Sequence, residues 1–319
     1  MLAVHLESGR VEIRNVPVPR VPKGFALIRM LAAGICSTDL ELQRGYYGFR
    51  GTPGHEFVGE VVEAQDRSWI GRRVAGEINL ACGLCEWCKR KLSRHCPNRT
   101  VLGIVKHPGA FAEFLTLPIA NLHRIPDSIG IQEAVFIEPI AAACEILDQI
   151  RIPKGEPVAI LGDGKLGSLI AQVLDAHGAS VHVFGRHREK LGILKRHGIR
   201  AELIKKKLPE REYPIVVDAT GSPEGLRSAI SMCVPRGTVV MKATVHGPVP
   251  IDTAPAIVNE ITLVGSRCGR FEPAIRLLNS KKVHVTDLIV AEFPLNRAPE
   301  AFAQAAKKGV LKVLLRAPR

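Results

Sequence analysis

The stretch PVAILGDGKLGSLIAQVLDAHGASVHVFGRH, residues 157–187, limits the possible folds of this chain more than any other. Val158 to Leu161 make a short apolar run of the kind that forms a strand buried on both faces. Gly162-x-Gly164-x-x-Gly167 follows at once. Leu166, Leu169, Ile170, Val173, Leu174 and His177 then recur at helical spacing, Gly178 ends that helix, and Ser180 to Phe184 give a second strand. In such a setting the first glycine allows a tight turn, the second lets a pyrophosphate approach the backbone, and the third lets the helix pack close to the sheet. Lys165 and Leu166 open the helix, whose unpaired N–H groups and dipole favour phosphate. The segment therefore predicts a dinucleotide site at Gly162, Gly164, Lys165, Leu166 and Gly167. Further apolar runs at 215–222, 237–243 and 261–266 extend the pattern to a six-stranded doubly wound parallel sheet over about 139–275, with Thr220 ending a strand on the ligand side.

The second predicted strand also bears on which nucleotide is taken. In NAD-specific sheets an acid about 20 residues past the glycines accepts the ribose hydroxyls and repels a 2′-phosphate. Here the strand ends VFGRHREK, with Phe184 or Gly185 at the acid's position and no acid before Glu189. Gly185 leaves room for a phosphate, and Arg186, His187 and Arg188 bring cationic or donor groups to its edge. The expectation is NADP in preference to NAD, carried mainly by Arg186. The alternative is that these residues face solvent and simply open the next helix.

Four cysteines, Cys82, Cys85, Cys88 and Cys96, fall in a loop-like run without helical or strand period. Thiolates at that spacing can close tetrahedrally on one zinc. Two disulfides or a set of buried thiols are the alternatives. The N-terminus MLAVHLESGRVEIRN has no basic segment leading into an apolar one, so a cytoplasmic location and a metal are expected rather than disulfides. A closed four-sulfur site has no open position for substrate. It also occurs in DNA-binding proteins, and the net charge of +13 leaves a zinc-stabilised nucleic-acid binder as a different-class alternative. The basic residues are dispersed, however, with no run longer than three, as at Lys205–Lys207, so no specific nucleic-acid partner is expected. No apolar stretch reaches the 18 or so residues of a membrane span. At 319 residues the chain suits two domains.

A third group of residues is scattered: Cys36 in GICSTDL, His55 and Glu56 in PGHEFVGEVV, and Glu138 in IEPIAAAC. Taken singly they read as a buried thiol, a core histidine and surface carboxylates. Together with the cysteine lobe and the glycine turn, in this order over essentially the whole chain, they resemble the zinc-dependent medium-chain alcohol dehydrogenases, in particular the sorbitol- and threonine-dehydrogenase-like branch. The resemblance implies an α/β chain with a GroES-like β-rich catalytic domain over 1–138, carrying the structural zinc lobe (76–100) and completed by 276–319. A Rossmann dinucleotide-binding domain over 139–275 is inserted between them. It also implies a catalytic zinc held by Cys36, His55 and Glu138, with Glu56 either a direct ligand or exchanging with water, and thus two zinc ions per chain. Thr38 matches the hydroxyl residue that passes the alcohol proton toward the cofactor. A further implication is a homo-oligomer, dimer or tetramer, that acts on a small alcohol or carbonyl substrate.

Two features depart from the pattern. The relay histidine that many members carry just past the S/T-D pair is missing from TDLELQRGYYGF, where Glu41 stands nearby, and Tyr46, Tyr47 and Phe49 crowd into the same segment. Glu41 reads chiefly as part of a solvated helix face, and the aromatics either line a substrate cleft or pack a loop. Cys144, Cys233 and Cys268 read as small buried apolar groups. The expectation is hydride transfer between a secondary alcohol or polyol and NAD(P), with an L-threonine-type amino-alcohol dehydrogenase as the alternative.

Overall fold

A computed structural model describes residues 1–204, 207–243 and 250–317, so Lys205 and Lys206 of the lysine run lie outside the described residues. The chain divides into two compact units: Met1–Glu138 with Ala274–Asn279 and Val285–Arg319, and Pro139–Pro273 with Ser280–His284.

The first unit is organised by the strand Phe25–Gly34, buried at seven of its ten residues. Among the described residues it belongs to a seven-stranded sheet, pairing antiparallel with Glu56–Ala64, Phe114–Pro118 and Lys312–Arg316. Register shifts at Leu27/Ile28 and Met30/Ala32 let it bend between these partners. Backbones cross closely where it meets Glu56–Ala64: a Cβ on Gly59 would lie 2.4 Å from the Ile28 Cγ2. Gly34 is the register partner of both Glu56 and Leu314, so three distant pieces of chain converge at one end of this strand. The cysteine run leaves the unit as a loop whose neck is the short antiparallel pair Asn79–Leu80 and Thr100–Leu102. Only one helical turn, Glu86–Lys89, and a 3-10 turn, Ser93–His95, lie inside the loop.

The second unit contains strands β1 (Pro157–Leu161), β2 (Ser180–Gly185), β3 (Arg200–Leu203), β4 (Tyr213–Asp218), β5 (Cys233–Met241) and β6 (Thr262–Gly265). They pair in parallel in the order β3-β2-β1-β4-β5-β6, the doubly wound arrangement with its switch point beside β1. Helices α1 (Lys165–His177), α2 (Arg188–Arg196) and α3 (Pro223–Met232) make crossovers. Helix α1 stops at Gly178, which takes the left-handed φ of +101° that such a cap requires. The three turn glycines behave as their spacing predicts. Gly162 has φ +115°, a Cβ on Gly167 would sit 2.1 Å from the Gly162 carbonyl oxygen, and a Cβ on Gly164 would meet nothing within 4 Å. Strand β4 ends at Asp218, short of the 215–222 run. The Asp218 carboxylate accepts hydrogen bonds from the Thr220 N–H (2.9 Å) and hydroxyl (2.7 Å), turning the chain toward the Ser222 cap of α3. Ser280–His284 fastens to α1 through a two-way amide clasp. Gln172 Nε2 donates to the His284 carbonyl (3.0 Å), and the His284 N–H donates to Gln172 Oε1 (2.7 Å).

Candidate metal centres and nucleotide pocket

Cys36 directly precedes the helix Ser37–Gln43, just past the end of Phe25–Gly34, and His55 directly precedes the strand Glu56–Ala64. Because Gly34 pairs with Glu56, the two strand ends bring Cys36, His55 and Glu56 together, and their ligand atoms lie within 4.8 Å of one another. Asp39 locks this junction. Its carboxylate accepts the Cys36 N–H (2.8 Å) and the Gly54 N–H (3.2 Å), and lies 3.4 Å from His55 Nδ1, fully buried. Burial opposes a charge on His55, yet the Asp39 carboxylate outweighs it and holds the ring's pKa well above the usual histidine value. A carboxylate behind Nδ1 leaves Nε2 as the nitrogen for a metal. Thiolate, imidazole and carboxylate converging in this way fit zinc.

Glu56 has a partner that the sequence did not announce. Lys312 Nζ donates to Glu56 Oε2, and both side chains are buried. Burial works against the lysine's charge, and Glu56 overrides it, so the Lys312 pKa is raised. Glu138 is half-buried in the first turn of the helix Ile137–Gln149, outside the group whose ligand atoms lie within 4.8 Å of one another. The Thr38 hydroxyl lies 3.9 Å from the Cys36 sulfur. Glu41 pairs with Arg44 on an exposed helix face, in line with a solvated surface. The Tyr46 and Tyr47 rings lie 4.2 Å apart, with Tyr47 exposed and at a strained φ of +59°.

The four lobe cysteines form the second donor cluster. Sulfur–sulfur separations of 3.5 Å (Cys85–Cys88, Cys96–Cys82) and 3.7 Å (Cys85–Cys96) are far too long for a disulfide. They match the edge of about 3.8 Å of a tetrahedron with zinc–sulfur bonds of about 2.3 Å. Backbone N–H groups of Leu84 and Cys85, with the Cys96 sulfur, hold the Cys82 pKa down to about 6, whereas burial pushes Cys88 up to about 12. It is the tetrahedral sulfur spacing that suits an ion taking four thiolates.

In the second unit a cavity of about 610 Å³ opens at the glycine turn, lined by Gly162, Gly164, Gly185, Arg186, His187 and Thr220. Lys190 and Lys207 reach the same cavity; no spacing rule had singled them out. Lys165, Leu166 and Gly167 do not line it, and Arg188 faces a separate hollow with Lys195 and Glu202. The space over Gly185 is not open as expected. The Asp163 side chain fills it, with Cβ and Oδ2 each 2.5 Å from where a Gly185 Cβ would lie.

The chain is 32% identical to the L-threonine 3-dehydrogenase of Streptomyces avermitilis, with 95% of each chain covered. It belongs to the zinc-dependent medium-chain alcohol dehydrogenase family. Residues 22–127 match the alcohol dehydrogenase GroES-like domain and residues 166–280 the zinc-binding dehydrogenase domain of this family. The sorbitol dehydrogenase of Halalkalibacterium halodurans is 26% identical over 97% of this chain and 96% of its own. Among solved structures, a zinc-binding dehydrogenase of Sinorhizobium meliloti bound to NADP superposes with TM-score 0.90 at 27% identity, covering 99% of this chain and 98% of the other. The alcohol dehydrogenase TADH of Thermus sp. ATN1 gives 0.89 at 28% identity, with both chains fully covered. Among the described residues, no helix is long and apolar enough to cross a membrane.

Proposed function

We propose that this chain is a zinc-dependent oxidoreductase that moves a hydride between a secondary alcohol or polyol and NAD(P), with NADP favoured. The observation that carries this is the convergence of Cys36, His55 and Glu56 at one strand end, in a chain that also holds a cysteine tetrad and a glycine-turn pocket. Met1–Glu138, completed by the C-terminal segments, serves as the catalytic domain, and the doubly wound unit holds the nucleotide. Cys36 and His55 would hold the catalytic zinc, with Glu56 or Glu138 completing the set, and Cys82, Cys85, Cys88 and Cys96 would hold a structural one. When bound, the catalytic zinc supplies a Lewis acid for an alcohol or carbonyl oxygen. Asp39 fixes the orientation of His55, Lys312 balances the charge on Glu56, and the Thr38 hydroxyl carries the substrate proton outward. Arg186 and Lys190 at the cavity wall support the preference for NADP, against the Asp163 carboxylate that lies over Gly185.

A second reading, oxidation of an amino alcohol such as L-threonine, is favoured by the 32% identity to a threonine dehydrogenase. Nicotinamide absorbance assays over polyols, simple secondary alcohols and L-threonine decide between the two, and turnover of none of them would sink both. Elemental analysis is expected to give about two zinc ions per chain. Cys36→Ser should lose turnover with the fold intact, and Cys85→Ser should lose one zinc together with stability, because a structural site's binding energy is folding energy.

A further inference from the structure

Asp163 is the middle residue of the first Gly-x-Gly, where spacing rules ask only for a residue that fits the turn. Its carboxylate is nearly buried and lies against Gly185, the last residue of β2. It accepts the Arg186 N–H (2.7 Å) and the His187 N–H (2.6 Å) on Oδ2, and its Oδ1 lies 3.0 Å from His187 Nδ1. Two successive main-chain N–H groups beside an imidazole nitrogen make an anion cradle, and this chain fills it with its own carboxylate. Asp163 also lines the cavity at the glycine turn. Its negative charge therefore sits at the end of β2, where NAD-specific sheets place an acid on the strand itself.

We propose that Asp163 determines cofactor specificity, reading the adenosine ribose in place of the acid missing from β2 and restraining the binding of a 2′-phosphate. The inference rests on the reading of this cavity as the nucleotide site. Among the described residues, Oδ1 has the single partner His187 Nδ1, which leaves acceptor capacity for a ribose hydroxyl. A 2′-phosphate would meet a like charge at short range and find the two main-chain donors taken. Arg186 and Lys190 line the same cavity and act in the opposite sense, so the preference is set by the balance between these cations and Asp163.

The test is calorimetric titration of the purified full chain with NADP and with NAD, which needs neither substrate nor turnover. In Asp163→Asn the amide oxygen still accepts main-chain N–H groups, so the turn is kept while the charge is removed. The expected result is NADP binding tightened by about tenfold, close to the scale of one charge–charge contact screened by bulk water, with NAD binding weakened. Asp163→Ser should shift the ratio the same way. A ratio that stays put, or moves toward NAD, overturns the proposal, as does unfolding of both variants, which would make the carboxylate purely structural. The affinity ratio of the unmodified chain separately tests the NADP preference. A chain that binds neither nucleotide would overturn the cavity's assignment and this proposal with it.

Discussion

Glu56 and Lys312 lie 256 positions apart and are buried against each other. Removing one member of such a pair leaves an uncompensated buried charge, at a cost of about 3–5 kcal/mol. Lys312→Met should therefore lower the stability of metal-free protein by about 3 kcal/mol in denaturant titrations. Added zinc should restore a good part of that, because the ion supplies positive charge beside Glu56. Equal losses with and without zinc would show that Glu56 does not face the metal. Cys36, His55 and Glu56 were legible in the sequence only through their motifs, since the strand register that joins them is a long-range fact. Lys312 left a fainter sign, a lysine beginning the apolar run KVLLR, and nothing local says which carboxylate it meets. Asp39 stood in plain view in CSTDL, three residues past Cys36, where a carboxylate can accept the N–H of the residue before a helix.

At the scale of elements, period and turn chemistry located β1, α1 and β2 well, because a buried strand, an amphipathic helix and a capping glycine each leave a local mark. Strand β3 completes the expected six, but no stretch of sequence marked its place. It is four residues long, reads RAEL, and is placed by pairing with β2 rather than by its own pattern. This edge carries a pH-sensitive contact. His182 of β2 is buried, its Nδ1 lies 2.7 Å from the Tyr213 hydroxyl and its Nε2 lies 3.3 Å from Glu202. Burial, helped by Arg200, lowers its pKa below the ordinary histidine value, and Glu202 offsets this only in part. Between the lowered folded value and about 6.5, the unfolded chain binds more protons at this position, so stability rises with pH through that window and the penalty is gone above it. His5 and His107 are shifted the same way, so the melting temperature is expected to climb from pH 5 to about 6.5, above which His55, held up by Asp39, acts in the opposite sense. His182→Gln, which can still bond the Tyr213 hydroxyl, should make that climb shallower. An unchanged slope in melts across this range would place the proton uptake elsewhere.

For the molecule as a whole, the net charge of +13 and the apolar surface lead in different directions. Dispersed charge keeps a chain soluble and attracts polyanions without selecting among them. The exposed apolar residues are less evenly spread. Ile257 (71% exposed), Val258 (78%) and Leu263 (41%) all lie on or just before β6, which among the described residues is the outer strand of the doubly wound sheet. An edge strand presents unpaired N–H and C=O groups, and natural chains blunt such edges with charge or cover them. Thr262–Gly265, TLVG, has no charged residue to do so. The coverage we propose is a second copy of the chain, its β6 continuing the sheet, which would remove both the free backbone groups and the apolar patch. Leu263→Glu puts a charge on that edge while leaving the partly buried Val264 in place. Light scattering at micromolar concentration should then show the unmodified chain as a dimer or larger assembly and the variant shifted toward monomer, with far-ultraviolet circular dichroism unchanged. A variant that stays fully assembled would move the interface off β6, and a monomeric unmodified chain would remove it altogether.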